Sequence, residues 1–167
     1  LNGIASTEAP AYNTLVGGGT FSDYSKHPAQ FFDQPDGTRS SAAGRYQITY
    51  TTWLDAQKAL NLPDFSPESQ DRAAVWLAKS RYADKTGRNL EVDLSSGDPA
   101  LIEGIRRSLS GEDGKGLTWQ GLQNISAEDF AAYVNGGTAT PSALIFDSTF
   151  ADIPFSDRIA MANDALA

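Results

Sequence analysis

The sequence predicts an α+β fold, mostly helical with one small β-hairpin, and three observations carry that prediction. Leu15-Val16 and Thr20-Phe21 flank Gly17-Gly18-Gly19, a turn between two short β-forming runs. Several later stretches repeat apolar residues at helical spacing, and each opens on a capping residue: Ser66-Pro67, Asp98-Pro99 and Ser126. The 167 residues contain no repeat, linker or low-complexity tract, so residues 1–167 are expected to form a single domain around one core.

Leu1, Ile4 and Ala5 have helical spacing, and Pro10 ends any helix shortly after Glu8. This opening helix is short and the chain begins on Leu1, so the expectation is a fragment of a longer polypeptide. Asn13 to Tyr24 is read as the hairpin, and Gln34 to Ser41 as a polar, turn-forming mobile lip. Gly44-Arg45-Tyr46-Gln47 is expected to open the second helix, which continues through Tyr50, Trp53, Leu54 and Leu60. The helix starting at Ser66-Pro67 is apolar nearly all round from Ala73 to Ala78, as a buried central helix would be. Asp98-Pro99 starts a helix with Leu101, Ile102, Ile105 and Leu109 on one face. Ser126-Ala127-Glu128-Asp129 starts another, stopped by Asn135-Gly136-Gly137. Thr138 to Pro154 is irregular, and Phe155-Ser156 opens a last helix through Ile159 and Met161.

Composition excludes several function classes. The formal net charge is −8, whereas a nucleic-acid partner demands a basic stripe. There is no cysteine, hence no disulfide, and a single histidine makes a zinc site improbable. No aspartate-rich loop has EF-hand spacing. In Gly111-Glu112-Asp113-Gly114-Lys115-Gly116 no Ser or Thr follows the lysine, and two carboxylates occupy the place of a phosphate, so it is no phosphate loop. No metal and no cofactor are expected. No apolar run reaches the ~20 residues that span a bilayer, so no membrane span is expected.

The order of motifs is more specific. Val16-Gly17-Gly18, Phe21-Ser22-Asp23-Tyr24-Ser25, His27-Pro28, Gly44-Arg45-Tyr46-Gln47, Trp53 and Asp64-Phe65-Ser66-Pro67-Glu68-Ser69-Gln70-Asp71 follow one another. With Glu8 ahead of them, they resemble the lambda-type phage endolysins, lytic transglycosylases on a lysozyme-like scaffold. The resemblance is densest from Leu15 to Arg81 and thins beyond it; Asn89 to Ser96 and Gly111 to Gly116 look like differences in length. It implies a two-lobed domain, a small β-hairpin lobe and a helical lobe flanking a cleft. Peptidoglycan glycan strands would be the partner and the bacterial cell wall, in the periplasm, the place of action. Both a free endolysin released at lysis and a lysozyme domain within a larger virion protein fit that family. An acidic chain acting on an anionic wall needs its attraction to be local to the cleft.

The same resemblance assigns roles. Glu8 is the expected catalytic acid, because one carboxyl group in a crevice can be held protonated and give its proton to a glycosidic oxygen. In the family a glycine typically follows that glutamate, whereas Ala9-Pro10 follow Glu8. Tyr46 and Gln47 are expected to bind substrate beside Glu8. Tyr24 and Trp119 are candidates for stacking on a pyranose face. Asp23 lies roughly where hydrolytic lysozymes keep a second carboxylate, although a turn-capping aspartate is the simpler reading. His27, before Pro28, reads as a structural histidine holding its loop. Asp84-Lys85, Arg88 and Arg106-Arg107 read as solvated faces. Three functions compete: a transglycosylase, a hydrolytic muramidase using Asp23, and a glycan-binding module that has lost catalysis.

Overall fold

The computed structural model describes residues 1, 4, 8, 9, 11–112 and 119–134. They fall into two compact units, one of residues 8–76 and one built from 1–7 and 77 onward. The fold is mostly helical with a two-stranded antiparallel hairpin, in agreement with the α+β expectation.

In the first unit, the chain leaves Glu8 and enters a tight glycine loop. Leu15 N–H donates to Gly19 O at 2.8 Å, and Thr14 bridges Thr20. Phe21 N–H donates to Asn13 O at 3.0 Å, so the turn expected over Asn13–Tyr24 closes as a short hairpin, while the two-stranded sheet forms further along the chain. Leu15 and Val16 also pair with Ala43 and Ala42: Val16 N–H donates to Ala42 O at 2.9 Å, and Leu15 bridges Ala43. The paired strands are β1, Phe32–Asp33, and β2, Arg39–Ser40, in register Phe32 to Ser40. Their turn lies inside the stretch expected to be a loose lip. Gln34 N–H donates to Thr38 O at 2.8 Å, and Asp36 accepts from the backbone and hydroxyl of Thr38. Pro-Asp-Gly-Thr chemistry closes this hairpin locally.

The second helix is Tyr50–Leu60, beginning later than expected. Gly44 and Gln47 have φ of +80° and +46°, in the left-handed region, which no α-helix admits. Residues 43–48 therefore form a closed turn, with Ala43 and Ile48 exchanging backbone hydrogen bonds at 3.1 Å. Phe65, fully buried, anchors the core of this unit. The Trp53 and His27 rings meet it edge-on at 4.7 and 4.6 Å, and Phe21 lies at 5.8 Å. Ser66 caps the long helix Pro67–Thr86, which contributes residues to both units and buries Ala73 and Ala74 completely.

In the second unit, Asn89 caps a short helix, Leu90–Ser95, by accepting from Glu91 N and Val92 N at 2.9 and 3.1 Å. Within the stretch expected to differ in length from the resembling family, the Asn cap and the Leu90/Leu94 spacing are the local signals of this helix. Asp98 and Pro99 start Pro99–Ser110 as expected, with Ile102, Ile105 and Leu109 buried along one face. A 3₁₀ turn, Gln120–Asn124, precedes the helix Ala127–Val134, which Ser126 caps from its hydroxyl to Asp129 N–H. The expected Asn135-Gly136-Gly137 stop, the irregular stretch 138–154 and the helix from Phe155 lie outside the described residues.

Arg106 corrects the expectation of a solvated face. Its side chain is buried, bidentate to Glu103 at 2.7 and 2.8 Å, and bonded to Glu112 and to Leu122 O. Arg88 is half exposed yet grips the buried Asp93 with two bonds of 2.6 Å. Tyr82 donates to the same carboxylate. Among the described residues, no helix is long and apolar enough to cross a membrane, and no group of three or more His, Asp or Glu could hold a metal ion.

Candidate active site

Glu8 is helical and half-buried, and its Oε1 oxygen is enclosed by protein. The next residue, Ala9, is buried. Ala9 in place of the glycine typical of the resembling family thus points its methyl group into packed protein. Glu8, Asp23, Tyr24, Tyr46 and Gln47 all belong to the unit of residues 8–76, and Trp119 belongs to the other.

Gln47 is presented by the turn rather than by a helix. Its Nε2 donates to Gly44 O at 2.8 Å and approaches Thr14 O at 3.4 Å. Both neighbours are carbonyl oxygens, so the amide nitrogen must face them. Oε1 is then left on the other side of the amide, an acceptor whose chemistry suits an N–H or a hydroxyl. The turn is held from behind by Gln70, whose Oε1 accepts from Arg45 N at 3.0 Å. Its Nε2 donates to Tyr12 O and Phe65 O at 3.0 and 2.9 Å.

Asp71, the next residue of the long helix, collects two phenols. Tyr46 Oη donates to Oδ1 at 2.6 Å, and Tyr12 Oη lies 3.0 and 3.2 Å from the two carboxylate oxygens. Arg45 stacks its guanidinium 5.1 Å above the Tyr12 ring centroid. Burial pushes the Asp71 carboxyl above the ordinary aspartate value, against the opposing pull of the two hydroxyls and of Arg45. Burial and the Asp71 charge push the Tyr12 phenol up to about 12, and raise that of Tyr46 as well.

Two of the residues expected to meet sugar are enclosed in this structure. Tyr46 is 2% exposed with its hydroxyl committed to Asp71, so it offers substrate neither a ring face nor a free donor. Trp119 is also 2% exposed, its backbone N–H bonded to Leu109 O at 3.1 Å, and presents no stacking face. Tyr24 keeps part of its ring exposed, edge-on to Phe21 at 5.2 Å. Asp23 is exposed and accepts from Ser25 N–H at 2.8 Å, and hydrogen bonding to the side chain and backbone of Ser25 holds its carboxyl below the usual aspartate value. This is the geometry of a turn cap.

His27 is a structural residue. It is buried between the Phe65 and Tyr50 rings, receives Ala29 N–H on Nδ1 at 3.0 Å, and meets Ile48 O through Nε2 at 2.9 Å. Accepting on Nδ1 requires that nitrogen to be unprotonated, so the ring is the neutral Nε2–H tautomer. Desolvation lowers its pKa, opposed by the bond to Ile48. Tyr12, Gln70 and Asp71 were not singled out as site residues from sequence. Gln70-Asp71 sit within a recognised motif, but nothing local distinguishes a clamping pair from two solvated helix residues.

The family model "Endolysin" matches residues 2–93, more than half of the chain. The endolysin of Escherichia phage lambda is 42% identical over 82 residues, 49% of this chain and 52% of that protein. The endolysin of Escherichia phage P2 is 48% identical over 69 residues, 38% of this chain and 41% of its own length. The chain thus spans about half the length of the curated relatives it matches. Among solved structures, bacteriophage lambda lysozyme complexed with a chitohexasaccharide superposes with a TM-score of 0.56 at 27% identity, covering 78% of this chain and 86% of that one. A second lambda lysozyme structure gives 0.53, also at 27% identity, covering 79% and 84%. By the segment that contains Glu8, the Gly44–Gln47 turn and the Gln70-Asp71 pair, and by a fold shared with lambda lysozyme, this chain belongs to the endolysin family.

Proposed function

We propose that this domain is a peptidoglycan lytic transglycosylase, cleaving the β-1,4 bond between N-acetylmuramic acid and N-acetylglucosamine. The observation that carries the reading is Glu8, a half-buried helical carboxyl with one oxygen enclosed, inside the segment matched by the endolysin family. Glu8 protonates the leaving oxygen as the bond from the muramyl anomeric carbon breaks. As carboxylate it then takes the proton of the muramyl C6 hydroxyl, whose oxygen attacks that same anomeric carbon and closes a 1,6-anhydro ring. Intramolecular attack supplies a high effective concentration of nucleophile, so no activated water and no second carboxylate is required. The turn-capping geometry of Asp23 supports this version over hydrolysis. Gln47 Oε1 would accept from an N-acetyl group of the substrate, and Tyr24 would offer a partly open ring to a pyranose.

This reading takes residues 1–167 as one catalytic domain that needs neither metal nor cofactor. It acts on glycan strands of the bacterial cell wall, reached from the periplasm at lysis or as part of a larger virion protein. Mass spectrometry of digested peptidoglycan tests it. Anhydro-muramyl ends are the expected product; reducing ends would establish hydrolysis, and intact strands with retained binding would establish a glycan-binding module.

A further inference from the structure

Two segments distant in sequence converge on two adjacent side chains of the long helix. Tyr12 lies four residues after Glu8, Arg45 and Tyr46 belong to the turn that presents Gln47, and Gln70 and Asp71 sit in the first turns of Pro67–Thr86. Gln70 takes the backbone of the two segments, bonding Tyr12 O and Arg45 N. Asp71 takes their side chains, accepting the hydroxyls of Tyr12 and Tyr46. Each member thus bridges the segment that follows Glu8 to the turn that carries Gln47. The fit is tight on the turn side: a Cβ on Gly44 would lie 2.2 Å from Gln70 Oε1.

We infer that Gln70 and Asp71 form a positioning clamp that sets the turn bearing Gln47 against the segment leading from Glu8. This rests on the roles proposed for Glu8 and Gln47 and adds residues that touch neither substrate nor the reacting atoms. The Gln47 backbone is left-handed, a conformation a free glutamine rarely keeps. The surrounding bonds hold it there. Tyr46, immediately before it, is anchored through its hydroxyl by the shortest bond of the cluster. Loosening that anchor lets the turn relax and moves the Gln47 amide, while the chemistry of Glu8 itself is untouched.

A double-mutant cycle between positions 47 and 71 tests the clamp, read as kcat/KM on peptidoglycan at a temperature where near-ultraviolet circular dichroism shows every variant folded. Asp71→Ala is expected to cost about tenfold or more in the parent and less than about twofold on a Gln47→Ala background, because coupled residues are not additive. Asp71→Asn keeps an oxygen for both hydroxyls and should recover most of the loss. Equal fold-losses on both backgrounds would overturn the clamp, since a merely structural residue has no coupling to Gln47. Should Asp71→Ala fail to fold, Tyr46→Phe removes one hydroxyl and takes its place in the cycle. Should the parent itself cleave nothing, the enzymatic reading falls separately, and the same cycle is read in chitohexasaccharide affinity by calorimetry with the same two outcomes.

Discussion

Gly44 and Gln70 are in contact so close that only a glycine can stand at position 44. An added Cβ would meet Gln70 Oε1 at 2.2 Å and the Phe65 ring at 3.1 Å, at a φ of +80°. Gln70 has no room to yield, because its amide is tied to Tyr12 O, Phe65 O and Arg45 N.

Gly44→Ala is therefore expected to destabilise the protein by about 2–4 kcal/mol in urea unfolding, combining left-handed backbone strain with overpacking. Gly18→Ala is the control. It shares a positive φ of +91° but has open space around the missing Cβ, so it should lose only about 1–2 kcal/mol. Equal losses would show that the Gln70 contact relaxes at little cost.

Glu8→Gln should abolish cleavage while leaving the fold and glycan binding intact. The amide preserves size but cannot exchange the proton, and general acid–base catalysis is worth about 10²–10⁴-fold. Release of soluble fragments from purified sacculi is the measurement. A rate within a few-fold of the parent would remove Glu8 from the mechanism.

Asp23→Asn separates the two chemistries. Under transglycosylation the variant keeps much of its activity, since the carboxylate is engaged in capping the turn at Ser25. Under hydrolysis with a second carboxylate it loses roughly 100-fold or more. Reducing ends from the parent together with a folded, nearly dead variant would replace the mechanism and leave the substrate class standing.

His27 makes stability fall on mild acidification. Its folded pKa lies below the unfolded value of 6.5. Above pH 6.5 neither state binds the proton and the neutral ring contributes its full stability. As pH falls below 6.5, the unfolded chain takes up a proton that the buried ring refuses, and stability declines until the lowered folded pKa is passed. The parent should lose more unfolding free energy between pH 7.5 and 5.5 than His27→Gln, which has nothing to titrate there. Parallel pH profiles would refute this assignment.

Arg106→Met should cost about 3 kcal/mol by thermal or urea unfolding. It leaves Glu103, Glu112 and the Leu122 carbonyl without their shared donor in a site where Arg106 is almost wholly enclosed. Changing Glu103 and Glu112 to Gln in the Met variant should recover part of the loss, because the stranded charges are then gone.

What could be read from the sequence alone was what short stretches of chain decide among themselves. Ser66, Asp98 and Ser126 cap the helices expected of them, because a cap and its amide lie within three residues of each other. The α+β class and the lysozyme-like scaffold followed from the order of motifs. His27 could be assigned to its loop because its Ala29 partner is two residues away.

The tertiary structure decided what distant residues do to one another. The chain closes its glycine loop on itself, but the added pairing of Leu15 and Val16 with Ala43 and Ala42 arises only once folding brings those distant residues alongside. Gln47 reads as a helix residue until Gln70 and Asp71 hold its turn closed in a left-handed form. Tyr46 reads as a substrate contact and Trp119 as a sugar platform until burial encloses them, and Arg106 looks solvated until Glu112 and Leu122 close over it. The bonds responsible join residues 25 and 59 positions apart in the case of Tyr46 and Tyr12 with Asp71. Local propensity carries no information about such partners, because the free energy of a buried hydrogen bond or ion pair exists only once the chain has brought both ends together and excluded water.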